Sequence, residues 1–173
     1  MSEDQMDQNQ AAAQPGQAQL GLRERIAADT KLAMKAKETA RLSTLRLISA
    51  AIKDREIAAR SESGDESGLS DADLTAILSK MVKQRQESAK AYEEGGRLEL
   101  AEREQDEIKV IQAYLPRQLD AAETAAAIDK VIADLGASSI RDMGKVMAEL
   151  RSRHAGQMDF GAVGPMVKDR LMG

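Results

Sequence analysis

The sequence contains no cysteine and no tryptophan. In 173 residues it has one histidine, three prolines and three aromatic side chains, Tyr92, Tyr114 and Phe160. Without cysteine there are no disulfides, no thiolate-held zinc or iron–sulfur centre and no thiol nucleophile. A single histidine, His154, offers no His-x-x-x-His metal pair, and no ordinary Ser-His-Asp triad is apparent around it. Three aromatics cannot build a platform on which several unpaired bases stack. No apolar run approaches the roughly 18–20 residues of a membrane helix. The N-terminus lacks both the basic start and the apolar run of a secretory signal, so a cytoplasmic protein with no membrane partner is expected.

What is abundant is charge and helix-forming side chains. Charged residues make up 31% of the chain and hydrophobic ones 42%, with a net charge of −4. The charge is unevenly spread: residues 20–60 carry ten bases and five acids, whereas 61–120 carry eight and fourteen. Ala, Leu, Glu, Lys, Arg, Gln and Met dominate after Leu20, and no useful period-2 stretch suggests a strand. The fold class is therefore all-α.

Residues 1–19, polar and without periodicity, read as a disordered tail. Apolar positions at spacings of three, four and seven predict helices over about 22–36, 38–61, 70–94 and 98–114. Met34, Leu98 and Leu115 are placed on their inner sides. The stretch 61–70, with two glycines, reads as a loop. Pro116 ends the fourth pattern and marks a domain boundary. Beyond it, helices are predicted over 121–135, 140–154 and 160–172, capped by Asp120, Ser139 and Asp159. Pro165 should kink the last helix or delay its start to about 164. The organisation expected is a tail (1–19), a four-helix N-terminal domain (20–116) and a small three-helix C-terminal bundle (117–173). The core predicted for that bundle includes Ile128, Leu135, Ile140, Val146, Leu150, Val163 and Val167.

Several clusters could carry function. Arg46, Lys53 and Arg60 recur every seven residues and form a possible basic track, for phosphates or for an acidic partner surface; a merely solvated helix face explains them as well. The acidic run 102–107 lacks the glycine-bearing loop of a calcium site and reads as a solvated helix. In 138–153, Arg141, Lys145, Arg151 and Arg153 lie on or near one short helix. Gly144 within it costs about 1 kcal/mol relative to Ala, which calls for a close approach by another helix or by a nucleic-acid backbone. Gly161-Ala-Val-Gly164 matches a Gly-x-x-Gly loop, but that mode of RNA binding needs a sheet. Ser138 and Ser139 read as capping residues, and His154 as a partner of helix-terminal carbonyls. No Walker A loop, G-x-G-x-x-G or H-E-x-x-H is present.

Taken together, RLSTLRLISAAIKDREI (41–57), LTAILSKMVKQRQES (74–88), AYEEGGR (91–97), EIKVIQAYLPRQL (107–119) and GASSIRDMGKVMAEL (136–150) resemble the GatB/YqeY family. The resemblance runs from about Leu20 to the C-terminus. It implies that residues 117–173 correspond to the tail of the B subunit of the tRNA-dependent amidotransferase, a helical module that contacts the outer corner of tRNA. That enzyme amidates Glu-tRNA or Asp-tRNA with glutamine as nitrogen donor, so the family carries a carbon–nitrogen ligase label. By motif position the resemblance points to Arg141, Gly144 and Lys145 as tRNA contacts; Arg151, Arg153 and Lys168 join them on charge alone. The chain shows no phosphate loop, metal cluster or amidase machinery, so no catalytic residue, metal or cofactor is expected of it alone. A non-catalytic tRNA-binding protein, with a protein of the tRNA amidation or translation machinery as a further partner, is the first reading. A protein–protein adaptor is the second, and a glutamine-dependent ligase or its subunit the third.

Overall fold

The computed structural model describes residues 20–64 and 68–173; the expected tail and the middle of the expected 61–70 loop lie outside the described residues. Seven α-helices appear among them: α1 (Leu22–Lys35), α2 (Thr39–Ser63), α3 (Asp71–Glu94), α4 (Leu98–Gln112), α5 (Ala121–Leu135), α6 (Met143–Arg153) and α7 (Phe160–Met172). A 3-10 turn, Ile140–Asp142, precedes α6. The described residues contain no strand, so the all-α reading holds.

The caps explain where these helices begin. The Ser70 hydroxyl accepts from the Asp73 N–H at 3.2 Å, and the Asp73 carboxylate accepts from the Ser70 N–H at 3.0 Å. Asp120 and Glu123 repeat the arrangement at α5, at 2.7 and 3.2 Å. Each pair satisfies two backbone N–H groups that a helix start leaves without partners. At the other end of α5, Gly136 takes a left-handed φ of 61° and terminates the helix.

Pro165 overturns one of the two alternatives expected of it, the delayed start. It lies inside α7, which starts at Phe160 and not at 164. The residue before it, Gly164, and the residue one turn back, Gly161, have no Cβ. The clash that usually drives the pre-proline residue out of helical space is thereby reduced. Two helix ends also shift: α2 runs on to Ser63, and α4 stops at Gln112.

Burial forms two clusters that share no residue. The first joins α1 to α4 around Leu45, Ile48, Leu74, Leu78 and Ile111. The second joins α5 to α7 around Ile128, Val131, Val146, Leu150, Val163 and Val167. Extended helix-on-helix packing stays within each group. Met34, Leu98, Leu135 and Ile140, expected inward, are exposed. Ile140 is displaced because the 3-10 turn rotates its face relative to a continuous helix. Met158, in the α6–α7 loop, is buried in the second core instead.

The chain leaves the first core through Tyr114, which is only 7% exposed. Its hydroxyl donates to Asp29 Oδ2 at 2.6 Å, Arg25 lies 5.5 Å from the ring centroid, and Arg41 stands 4.0 Å from the same carboxylate. This group ties α1, α2 and the end of α4 together. Burial, then the bond to Asp29, raises the phenol well above its ordinary range. Tyr114→Phe should lose about 1–2 kcal/mol of stability in urea denaturation. Because the folded phenol titrates high, its contribution is complete below about pH 10 and is lost as pH rises beyond it. The difference between wild type and variant should therefore narrow in alkali.

Candidate nucleic-acid interface

The start of α6 is built by Asp142. Its carboxylate accepts from the Ser138 N–H at 3.0 Å and the Ser139 N–H at 3.3 Å, closing the turn from below. Those two N–H groups, helped by the Lys145 charge, hold the carboxyl below its usual range. Ser139 takes the cap position the sequence suggests, and the Asp142 carboxylate holds the turn from the other side. Arg141 precedes Asp142, and Lys145 follows one turn on; both are exposed. Neither makes an ion pair among the described residues.

Gly144 sits between them. A Cβ built there would meet nothing within 4 Å. The glycine therefore opens no space for another helix of this chain. It leaves bare backbone on a surface flanked by two cations, which is the geometry that suits close approach of a polyanion. Lys168 is also exposed, on α7, which packs against the 3-10 turn and α6.

The other expected contacts fall elsewhere. Arg153 donates to Asp134 and to Glu149, both at 2.7 Å, so it ties α6 to α5. Arg151 lies 5.7 Å from the centroid of the Phe160 ring, facing the loop between α6 and α7. Arg46, Lys53 and Arg60 are all exposed on α2. They have no ion-pair partner among the described residues, whereas Arg41 and Arg55 pair with Glu38 and Glu62. The basic row is therefore an exposed face on a different helix group from the α6 site. In the acidic run, Glu107 pairs with Arg85 of α3 at 2.8 Å. His154 faces the Gln157 side chain at 3.2 Å, not the helix-terminal carbonyls. Among the described residues, no group of three or more Asp, Glu or His converges as metal ligands would.

Residues 23–171 match the family described as Yqey-like protein. The chain belongs to that family. Among relatives, "Altered inheritance of mitochondria protein 41, mitochondrial" of Eremothecium gossypii is 38% identical over 109 residues, covering 62% of this chain and 57% of its own. The protein of the same name from Lachancea thermotolerans is 36% identical over 107 residues, covering 62% and 54%. That from Vanderwaltozyma polyspora is 38% identical over 87 residues, covering 50% and 44%. The chain thus spans about half the length of the curated relatives it matches. Among the described residues, no helix is long and apolar enough to cross a membrane.

Sequence reading passed over Arg117. Its guanidinium grips Glu123 in two parallel bonds of 2.8 and 2.7 Å at the entry to α5. The pair is six residues apart across a cap, a spacing no helical period signals. The Arg117 bond, then the Asp120 N–H, lowers the Glu123 carboxyl to about 2. A carboxyl depressed on folding contributes stability above its unfolded value, near 4.5, and loses it as pH falls towards about 2. A carboxyl NMR titration should find Glu123 still ionised at about pH 3. Arg117→Ala should return its midpoint towards the ordinary carboxylate range.

Gly144→Ala gives a second expectation. With open space at the Cβ and helical backbone, the substitution should raise stability by about 0.5–1 kcal/mol in thermal or urea melts.

Proposed function

We propose that this Yqey-like protein is a non-catalytic helical protein that binds tRNA through residues 117–173, acting as a separate C-terminal domain. The observation that carries this reading is the Arg141–Gly144–Lys145 face: two cations without ion-pair partners among the described residues, around a stretch of bare backbone. With no aromatic platform at that face, recognition would address the phosphate–ribose shape and not splayed bases. Lys168 belongs to the same reading as an outer contact. Arg151 and Arg153, although cationic, are engaged by Phe160 and by two carboxylates. They are assigned supporting roles. A cytoplasmic setting beside tRNA amidation or translation is part of this proposal; the mitochondrial designation belongs to the relatives' names.

The test is a filter-binding titration of mixed tRNA across a salt series. Arg141→Ala and Lys145→Ala should each weaken binding and flatten the slope of log affinity against log salt by about one. Arg153→Ala should lower the melting temperature and leave that slope unchanged. Gly144→Leu, which covers the backbone, should weaken binding without loss of fold. No binding at low salt would overturn the reading.

A second reading, a protein–protein adaptor, rests on the exposed row Arg46–Lys53–Arg60. It requires an acidic partner that co-purifies after nuclease treatment and is lost when the three positions are changed to Glu.

A further inference from the structure

The two helix groups do not close on each other completely. Between α3 and the α6–α7 loop lies a cleft of about 520 Å³. This is within the roughly 300–1,000 Å³ of small-molecule sites. Its α3 wall is a stripe at helical spacing, from Ala72 through Ala76, Ser79 and Val82 to Gln86. The fourteen helical rises from Ala72 to Gln86 make that wall about 21 Å long. The opposite wall is Leu115, Met158 and Phe160. The Ser79 hydroxyl on this wall is buried and has no hydrogen-bond partner.

The two ends differ. At one end Gly156 comes against Thr75 and Pro116 so closely that a Cβ would lie 2.5 Å from the Thr75 methyl. That end is shut and uncharged. Lys80 and Lys83 stand on the half of the α3 wall away from Gly156, with Arg151 beside Phe160 on the facing rim. The single acid in the lining, Asp159, is met by Lys83 at 3.3 Å. Lys80 is exposed and has no ion-pair partner among the described residues. Phe160 is the one aromatic in the lining, and Arg151 already lies over its ring. A planar base or ring would therefore find little to stack on.

We propose that the cleft binds a straight-chain acyl carboxylate, with the aliphatic tail along Ala72, Ala76 and Val82 and the carboxylate at Lys80 and Lys83. The long, largely apolar α3 wall suits an extended chain, and three cations against one acid suit an anionic head. The proposal is independent of tRNA binding, since Arg141, Gly144 and Lys145 do not line the cleft.

Isothermal titration with decanoate below its micelle concentration tests it. Acetate supplies the head without the tail, and decyltrimethylammonium the tail with the opposite charge. Decanoate should bind once per chain, and neither control should bind measurably. Ala76 and Lys80 are both exposed, so changes there do not enter either core. Ala76→Phe should fill the trough and Lys80→Glu should repel the head, each weakening decanoate at least about tenfold. Melting curves of both variants, unchanged from wild type, show that the loss is local. If Ala76→Phe unfolds, Ala72→Leu replaces it as the filling substitution; if Lys80→Glu unfolds, Lys80→Ala replaces it as the change at the head. Absence of decanoate binding, equal binding by the filled variants, or equally tight binding of the cationic surfactant would each overturn the proposal.

Discussion

The placement of the second helix group depends on a short span of chain. Tyr114 is buried in the first core, and Leu119 packs against the second. The four residues between them include Pro116, which has no N–H to give and a fixed φ. The Leu119 N–H reaches the Gln157 carbonyl at 2.9 Å, Gln118 bonds the Gly156 carbonyl, and Gln157 returns a bond to the Arg117 carbonyl at 3.3 Å. The α6–α7 loop is therefore stitched to the linker by one backbone pair and by two glutamine side-chain amides that donate to backbone carbonyls. With no extended helix contact between the groups, this stitching and the Lys83–Asp159 pair set how α5 to α7 sit on α3.

Charge in this protein is divided into two populations. One is consumed internally: Arg85 with Glu107, Arg117 with Glu123, Arg153 with Asp134 and Glu149. Such pairs on partly exposed surfaces stabilise weakly but orient the elements they join. The other population has no ion-pair partner among the described residues: Arg46, Lys53 and Arg60 on α2, Lys80 at the cleft, and Arg141 and Lys145 at α6. The net negative balance of the chain hides these separate positive areas, each of which would act within about a Debye length of 8–10 Å.

The helices were legible in the sequence because their signals are local. Caps at Ser70 and Asp120 and apolar stripes of period 3.6 need only a few neighbouring residues. The errors fall where a local rule meets a second influence. Pro165 stays within α7 beside two glycines. Ile140 turns outward because a 3-10 turn, not an α-turn, opens α6. Met158 lies in no periodic segment, so its burial could not be read from spacing. Within the candidate site, Arg141, Gly144 and Lys145 were marked by motif position, and their exposure agrees with an accessible face. Arg153 illustrates the converse: its charge suggested contact with a polyanion, but it is taken up by Glu149 of its own helix and by Asp134 of α5, nineteen residues back. The cleft was invisible for the same reason, because its two walls meet only after the chain has folded over Pro116.

Gly156 gives this arrangement an unusual sensitivity. It takes φ of 74° and comes within van der Waals reach of α3 and the linker at once. Any side chain there would be both strained in the backbone and wedged against Thr75. Its effect would be that of a shim under a joint: the α5–α7 group would tilt and the trough beside it would widen, although none of the groups proposed to touch a ligand had changed. The aperture of the cleft is thus governed by a hydrogen atom where other residues carry carbon.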